Sequence, residues 1–442
     1  MESPNGHSNR EAVYEKGVIS LPGAVALGSG VMIGAGVLAV TGQIAELSGA
    51  LFPLAFVVAA VVSGFSAYSY IKLAKAYPSA GGIATFLQKC YGDGVLTAGL
   101  ALLMYLSMVL NQSLVARTFG TYVMQLFDIA PDSVLVSALG VVLLLVAMVV
   151  NLVGTEAVER LSLLTAAVKI GGLVVFASAI LWLSDSGLRL GTSAPDDTGI
   201  ASLLGAVALG VLAYKGFTTI TNQGDELVEP RKNVGRAIII SIVICAALYL
   251  LVSLAVASQL TVPEIINARD YALAEAARPF FGDAGLWFTV GFAVIATSTG
   301  VMVSVFAVSR MLAMLTKMKL VPHSHFGMPG SIQKHTVVYT VAIAIALTVL
   351  GDLSRIASLG AIIYIAMDIG IHWGVITKVR DATEIVVWVP ALAIVLDLAV
   401  LGGLVWVKIG SDQMLVVAAI AVFVLVFGGE WLYLRFAAST DR

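Results

Sequence analysis

The chain has 442 residues, of which 59% are hydrophobic and only 12% charged, and its mean hydropathy is +0.98. This composition excludes an ordinary soluble domain. No basic tract indicates nucleic-acid binding, and the two cysteines, Cys90 and Cys245, offer neither a disulfide framework nor the ligand spacing of a zinc site. We therefore expect a membrane protein that carries no metal or cofactor and binds no nucleic acid.

Twelve apolar runs are long enough to cross the hydrocarbon core of a bilayer, which is about 30 Å thick. The first run follows a polar stretch and leads into many others, so we interpret it as a retained span and not as a signal peptide. The sequence predicts an all-α membrane protein with tails at 1–17 and 435–442. The predicted spans are 18–40, 51–71, 95–127, 133–153, 161–183, 200–224, 236–258, 285–316, 336–350, 356–376, 385–407 and 412–434.

The lysines and arginines between the spans are distributed unevenly. Seventeen lie in the segments that would be cytoplasmic if the N-terminus is inside, and five lie in the segments on the other side. Cytoplasmic loops carry an excess of these residues. We therefore predict that both termini are cytoplasmic and that the protein resides in the plasma membrane.

The first span contains a cluster of glycines at positions 28, 30, 34 and 36. Each glycine inside a helix costs roughly 1 kcal/mol relative to alanine. A membrane helix can be interrupted only where its freed backbone groups find partners in protein, water or ligand. The cluster predicts an unwound segment that faces a cavity, and close helix packing through small residues is the alternative.

The sixth span has a second set of glycines, with Lys215 beside Gly216 and a polar run from Thr218 to Gln223. A lipid-facing helix would not carry that polar run, so this end faces protein or water. Interrupted spans at corresponding places in two halves mark the binding site of a secondary transporter. We expect the halves at 18–183 and 200–376, with two peripheral helices at 385–434; the two halves share no evident residue-level repeat.

Three stretches resemble motifs of the amino acid–polyamine–organocation superfamily. They are Gly30–Leu38 in the first span, Ala213–Phe217 with the loop through Arg236, and Ser309–Met314 followed by Val321-Pro322. The chain departs from the usual pattern at Gly235, where the family has proline, and at Lys317–Lys319, where the family has Asp-Gly. The resemblance covers most of the chain in order.

This resemblance implies the leucine-transporter fold, a five-plus-five inverted repeat with helices 1 and 6 broken, and alternating access to a central site. It implies that a substrate carboxylate meets backbone amides and that the substrate ammonium meets backbone carbonyls. Helix termini favour this arrangement, since they carry unpaired amides or carbonyls with the matching partial charge. The implied amides belong to Gly34, Ala35 and Gly36, and the implied carbonyls lie near Ile33, Leu212, Ala213 and Lys215.

Two lysines lie inside apolar spans. Lys169 in the fifth span costs about 2.5–3.5 kcal/mol on insertion scales unless it finds a partner or loses its proton. It either extends its ammonium towards the cytoplasm or carries a proton in transport, since burial disfavours a charged lysine. In proton-coupled relatives a fifth-helix lysine replaces a sodium ion, and Lys169 matches by position. Lys215 either reaches water or contacts an anionic substrate group or a gate.

Other polar residues have two readings. Asp225, Glu226 and Glu229 predict an inner gate of ion pairs with Arg231, Lys232 and Arg236, and a solvated loop is the alternative. Arg117 is expected to be structural, Asp397 to pack within the membrane or between subunits, and Asp368 with His372 to be structural or a proton relay.

The hydroxyls of Thr297, Ser298, Thr299 and Ser304 would bind sodium in sodium-coupled relatives, or bond their own helix. Lys169 would repel a cation there, which favours protons.

The leading hypothesis is a secondary active amino acid transporter that works by proton-coupled symport in a lipid bilayer. A polyamine or cationic amino acid carrier, or an exchanger, is the alternative. The first, third, sixth and eighth spans contain no acidic residue, which disfavours a polyamine. A receptor or scaffold without transport would need no interrupted helix. No nucleophile–base pair, phosphate loop or metal cluster indicates an enzyme.

Overall fold

The computed structural model describes residues 17–79, 81–153, 156–184, 199–321 and 332–440. The side chains of residues 35, 156–164, 280–281 and 436–440 are outside this description. The polar tail through residue 16, Pro322 of the third motif and the last two residues also lie outside the described residues.

Twelve long helices in the described part of the chain correspond to the twelve predicted spans. Most begin and end within a few residues of the prediction, because the length of each apolar run is set by the thickness of the bilayer. They are α1 (Leu21–Ser48), α2 (Phe52–Ala76), α3 (Val95–Gln125), α4 (Val134–Val153), α5 (Glu156–Leu183), α6 (Ile200–Tyr214), α7 (Pro230–Gln259), α8 (Ala272–Lys317), α9 (Ile332–Leu350), α10 (Leu353–Thr377), α11 (Trp388–Ser411) and α12 (Gln413–Thr440).

The helices are long and apolar enough to cross a membrane. Eleven stretches meet this criterion in the described residues, and a shorter apolar stretch covers Leu21–Gly34. One of the eleven, Gly36–Ala76, joins the second half of α1 to α2, so α1 and α2 together make two spans. The prediction of an all-α membrane protein with about twelve spans is confirmed. The inverted relation between the halves stays a prediction.

Local sequence explains where several helices begin. The Ser20 side chain accepts a hydrogen bond from the amide of Gly23 at the start of α1, and Asp352 accepts one from the amide of Arg355 at the start of α10. Helix α8 begins earlier than predicted because a preceding helical segment joins it across a kink. Gly282 makes that kink with a φ of +50°, a conformation that favours glycine.

Helix α1 lies at the centre of the fold and packs against α5, α6, α7 and α8. Helix α10 packs against α3 and α11, and α11 also contacts α6. Helix α12 lies at the periphery, where apolar side chains such as Val424 and Leu425 are exposed. The central position of α1 makes its polar groups depend on neighbouring helices for partners.

The expected interruption of the first span is absent as a break in the helix. Helix α1 has helical backbone from Leu21 to Ser48. The sixth span does change its backbone at the expected place: α6 ends at Tyr214, Lys215–Phe217 form a 3₁₀ turn, and Thr218–Thr221 form one further helical turn. The two spans therefore differ, and only the sixth departs from α-helical geometry.

A close contact between α3 and α4 depends on Gly120. A Cβ atom at this buried position would overlap the carbonyl oxygen of Val136, which is backbone and cannot move aside easily. At Gly64, on the exposed face of α2, a Cβ atom would meet nothing within 4 Å.

We predict that Gly120→Ala lowers the free energy of unfolding by about 1–3 kcal/mol, since it overpacks a helix interface. The measurement is the thermal unfolding midpoint of purified protein in detergent. The control variant Gly64→Ala should unfold at the wild-type temperature or slightly above it, because alanine favours the helix. Equal midpoints for both variants would contradict the assigned packing of α3 on α4.

Candidate functional site

The change of backbone geometry in the sixth span buries a polar segment. Thr218, Thr219, Thr221 and Gln223 are each at most 3% exposed, so this end faces protein, as predicted. The hydroxyl of Thr218 donates to the carbonyl of Lys215 over 2.8 Å, and Thr221 donates to Thr218 over 2.7 Å. These hydroxyls satisfy carbonyls that lose their usual partners where the α-helix tightens.

A small cavity lies at this segment, between α1, α3, α6 and α8. Its volume is about 10 Å³, which is room for one water molecule at most. The four helices therefore close around the site in this structure. The lining residues are Val31, Met108, Asn111, Lys215, Gly216, Thr218, Thr219 and Ser304.

Asn111 on α3 is a polar lining residue that the sequence analysis did not single out. It is 5% exposed, and its side-chain carbonyl oxygen has no hydrogen-bond partner among the described residues. A buried polar atom without a partner is costly. Since this side chain lines the cavity, Asn111 offers a hydrogen bond to a molecule bound there. A polar residue in the middle of an apolar span was the signal that could have identified it.

Lys215 is buried at the same cavity and contacts α3 and α10. Its ammonium donates to the carbonyl of Ser107 over 2.6 Å and to the Ser107 hydroxyl over 2.7 Å. It also lies 5.6 Å from the centre of the Tyr364 ring. These contacts are made inside the protein. In this structure the Lys215 ammonium therefore does not reach open water, which was one of the two interpretations of the sequence.

Lys169 joins α5 to α1. It is 2% exposed, and its Nζ donates to the carbonyl of Gly30 over 3.2 Å. Neither Lys169 nor Lys215 has an ion-pair partner among the described side chains. Lys169 is thus buried and not extended to the membrane surface, and it meets the glycine-rich part of α1.

The backbone groups that were expected to bind substrate are engaged within the protein. Gly34, Ala35 and Gly36 lie within the continuous helix α1, so their amides are not exposed in an unwound segment. The carbonyl of Leu212 accepts from the amide of Lys215, and the Tyr249 hydroxyl lies within hydrogen-bond distance of the Ala213 carbonyl, at 3.4 Å. The expected pocket of free amides is therefore not present in this structure. Ile33, the remaining residue of the predicted site on α1, is fully buried.

Tyr249 on α7 contacts α1 at this place. Its hydroxyl donates to the carbonyl of Met32 over 2.6 Å, so α1 receives a donor without losing its helical backbone. Glycine is needed at position 36 because a Cβ atom there would overlap the Tyr249 hydroxyl. Glycine is needed at 216 for a related reason, since a Cβ atom there would press on the backbone nitrogen of Met32. The glycine motifs serve close packing of α1 against α6 and α7.

An ion pair closes the end of the molecule where α1 begins. Glu226, 4% exposed, accepts a hydrogen bond of 2.6 Å from Arg310 on α8. The neighbouring backbone pairs with the segment before α1: the amide of Ile19 donates to the carbonyl of Glu226, and the amide of Val228 donates to the carbonyl of Ile19. The loop after α6 thus holds α1 and α8 together at this end.

The predicted inner gate differs in its partners. Glu226 pairs with Arg310, which the sequence placed in another motif, and not with Arg231. Glu229 pairs with Lys232 over 3.2 Å on the surface. Asp225 and Arg231 form no ion pair among the described residues, and Arg231 is exposed. Glu229 and Lys232 thus form a predicted pair at the surface, and Glu226 is the predicted gate residue that takes part in the buried contact.

Arg269, near the other end of α1, borders a cavity of about 750 Å³. Helix α1 spans about 40 Å between the two ends, and here Glu46 pairs with Arg269 over 2.7 Å. Arg117 borders the cavity and donates to Ser137 over 2.7 Å and to the Thr348 carbonyl over 2.9 Å, which supports its structural reading. Burial raises the pKa of the Asp270 carboxyl, which also borders the cavity.

Two of the α8 hydroxyls that would bind sodium in sodium-coupled relatives form hydrogen bonds within their own helix. Thr297 donates to the carbonyl of Ala293 over 2.6 Å, and Thr299 donates to the carbonyl of Ile295 over 2.7 Å. Both bonds lie within α8, as is common for membrane hydroxyls. Ser304 is different because it lines the central cavity.

A bundle of about twelve spans with a small polar cavity at a change of helix geometry defines a membrane transport protein. The sequence matches the amino acid permease family over residues 19–428. The chain therefore belongs to the amino acid permease family, whose members are transporters and not enzymes, and the resemblance seen in the sequence is confirmed.

Individual relatives agree with this assignment. The inner membrane transport protein YbaT of Escherichia coli is 30% identical over 62% of this chain and 63% of its own length. The uncharacterized protein MJ0609 of Methanocaldococcus jannaschii is 29% identical over 91% of this chain and 92% of its own length. The serine/threonine exchanger SteT of Bacillus subtilis is 26% identical over 52% of this chain and half of its own length.

We predict that Glu226→Gln lowers the unfolding midpoint of the purified protein, because it removes the carboxylate charge from the largely buried contact with Arg310. Removing one partner of a buried charged hydrogen bond costs about 1–3 kcal/mol. The matched control is Glu229→Gln, which removes an exposed pair worth about 0–1 kcal/mol. If both variants lost the same stability, the Glu226–Arg310 pair would not be the contact that closes this end.

Proposed function

We propose that this protein is a secondary active transporter of amino acids that couples their movement to protons and works by alternating access. The substrate binds at the cavity between α1, α3, α6 and α8. One observation carries this proposal: the sixth span changes its geometry at Lys215–Phe217, and this turn lines a cavity that α1 also borders, at Val31. The relative SteT is a serine/threonine exchanger, which supports amino acids as the substrate class of this protein.

Alternating access is supported by the contrast between the two ends of α1. The end at Ile19 is closed by a backbone pairing and by the Glu226–Arg310 ion pair, whereas Arg269 near the other end borders a large cavity. The central cavity between them is too small for an amino acid. A substrate therefore needs the helices to separate at one end, and opening of the other end requires the ion pair to break. The distribution of Lys and Arg supports a cytoplasmic position for the closed end and for both termini. The membrane that we propose is the plasma membrane.

The charges at the cavity favour neutral or acidic amino acids. A cationic side chain or a polyamine would need an acidic partner in a site shielded from water, and no described Asp or Glu lines this cavity. Lys215 and the free carbonyl oxygen of Asn111 are the polar groups that can select a substrate. The alternative function, a cationic amino acid carrier, would need such a carboxylate, and the described lining of the cavity supplies none. The resemblance to SteT keeps exchange open as the mode of transport.

Coupling is assigned to Lys169. When protonated, Lys169 donates to the Gly30 carbonyl and holds α5 against α1. A neutral amine is a much weaker donor, so deprotonation loosens this contact next to the binding site. Binding and release of a proton at Lys169 would thereby bias which end of the transporter is open.

The experiment that tests the proposed function is counterflow of amino acids in liposomes that contain the purified protein. Each of the twenty amino acids is offered with and without an imposed pH gradient. We expect flux of neutral or acidic amino acids that increases with an inward proton gradient. Absence of flux for every amino acid would overturn the proposal, and flux that ignores the gradient would overturn proton coupling.

We predict that Lys215→Met changes the order of preference among acidic, neutral and basic amino acids, since it removes the positive charge at the cavity. The measurement is competition against uptake of the best substrate. The control is Lys408→Met, which removes a lysine at the far end of α11 that lines another cavity. A competition profile equal to wild type in Lys215→Met would return Lys215 to a structural role.

We predict that Lys169→Ala abolishes the accumulation that an inward proton gradient drives, while exchange of substrate across the membrane continues. Uptake is measured at fixed membrane potential with an imposed pH step. Lys232→Ala on the exposed start of α7 serves as the control and should behave as wild type. If Lys169→Ala still concentrates substrate in response to the pH step, Lys169 is not the coupling residue.

A further inference from the structure

Three ionisable side chains meet inside the membrane-spanning part, away from the central cavity. Asp368 and His372 lie one turn apart on α10, Asp397 lies on α11, and all three are 0% exposed. The Nε2 atom of His372 lies 3.6 Å from Asp368 Oδ1 and 3.5 Å from Asp397 Oδ2. We call these three residues the carboxylate–imidazole cluster.

Helix α2 orients two members of the cluster. The Ser66 hydroxyl donates to Asp368 Oδ2 and the Tyr70 hydroxyl donates to Asp368 Oδ1, each over 2.6 Å. Ser69 Oγ lies 2.8 Å from His372 Nδ1. Because Ser69 engages Nδ1, the other ring nitrogen, Nε2, points between the two carboxyl groups.

The atoms that face the middle of the cluster lack hydrogen bonds. Both oxygens of Asp397 and the Nε2 of His372 have no hydrogen-bond partner among the described residues. An ionised carboxylate without donors costs several kcal/mol in an apolar interior. These unpartnered atoms are fully buried and directed at one another, so they indicate that a cation is bound between them.

Two protons or one divalent cation would balance the charge of the cluster. Without protons the cluster carries a charge of −2, and with two protons, one on His372 and one on a carboxyl group, it is neutral. The other titratable groups that face it are the phenols of Tyr70 on α2 and Tyr364 on α10. Tyr91 and Cys90 pack one turn further along α10, at Gly370 and Gly374. The Lys215 ammonium lies 5.6 Å from the centre of the Tyr364 ring and forms no ion pair with a described carboxylate.

We propose that Asp368, His372 and Asp397 form a membrane-embedded binding site for a proton, distinct from the central cavity and from Lys169. In the loaded form an imidazolium lies between the two carboxyl groups and Asp397 carries the exchangeable proton. Release of that proton leaves one negative charge inside the membrane. A divalent metal ion held by the same three side chains is the competing occupant, and the experiment below distinguishes it.

The cluster is connected to the central cavity through two rings. The Tyr70 ring packs edge-on against Phe217, with ring centres 5.4 Å apart. Phe217 belongs to the 3₁₀ turn that contains Lys215 and Gly216, and these two residues line the cavity. A change of charge on the cluster alters the hydrogen bond of Tyr70 and hence the support of Phe217. This consequence for transport rests on the proposed function, whereas proton binding itself does not.

The test of proton binding is infrared difference spectroscopy of the full-length purified protein between acidic and alkaline buffer. We expect a carbonyl band of a protonated carboxylic acid that is lost in Asp397→Asn. The matched control is Glu430→Gln, which removes another buried carboxyl, on α12 and outside the cluster; it should keep the band of the cluster. A band of equal intensity in wild type and Asp397→Asn would overturn the proposal.

Two further measurements cover the remaining outcomes. Elemental analysis that finds one metal ion per wild-type chain and none in Asp397→Asn would replace the proton site with a metal site. If Asp397→Asn does not fold, His372→Gln is used, and an unchanged midpoint of the band on pH titration contradicts the proposal.

The consequence for transport is tested by measuring amino acid flux in liposomes that contain the same variants. If the cluster acts on the central site, Asp397→Asn should shift the pH profile of amino acid flux relative to Glu430→Gln. An unchanged profile beside a lost infrared band overturns the connection and leaves the proton site. Absence of flux in wild type overturns the proposed function, while the infrared result still decides the proton site.

Discussion

Inside a bilayer no water is available to satisfy the backbone, so each polar group must find its partner within the protein. Helix α1 illustrates how strongly this constraint acts on the fold. It lies among four other helices and carries glycines that weaken it. Its carbonyls at Gly30 and Met32 accept hydrogen bonds from Lys169 and Tyr249. The neighbours thus compensate the glycines and place an ammonium and a phenol next to the binding region.

The same constraint explains where charge is tolerated. Lys215 is stabilised by the Ser107 carbonyl and hydroxyl, and Asp368 is stabilised by two hydroxyls of α2. These partners are neutral groups that connect different helices, so each buried charge also fixes a helix interface. A change of protonation at such a position therefore changes the packing between helices. This is the physical basis for coupling a proton to the movement of helices around a substrate.

The two ends of α1 are held by interactions of different kinds. The Ile19 end combines backbone pairing with a buried ion pair, and the Arg269 end has the more exposed pair with Glu46 beside a large cavity. Exposed ion pairs contribute about 0–1 kcal/mol, whereas the loss of one partner from a buried pair costs more. Opening the Ile19 end therefore breaks two backbone hydrogen bonds and separates the buried Glu226 carboxylate from Arg310. Opening it requires compensation elsewhere, which substrate and proton binding could supply.

The sequence by itself determined the number, order and approximate bounds of the spans, because the apolar length of each run reflects the thickness of the bilayer. It also located the change of geometry at Lys215, since a lysine, glycines and a polar run coincide there, and it indicated the family. Tertiary structure decided which groups meet. The Met32 carbonyl of α1 accepts from Tyr249 of α7, the partner of Glu226 is Arg310 of α8, and Asn111 of α3 lines the cavity. Asp397 faces His372 only because α11 packs beside α10. Such contacts join residues far apart in the chain, and their pairing follows from the packing of helices, which hydrophobic length and local motifs do not encode.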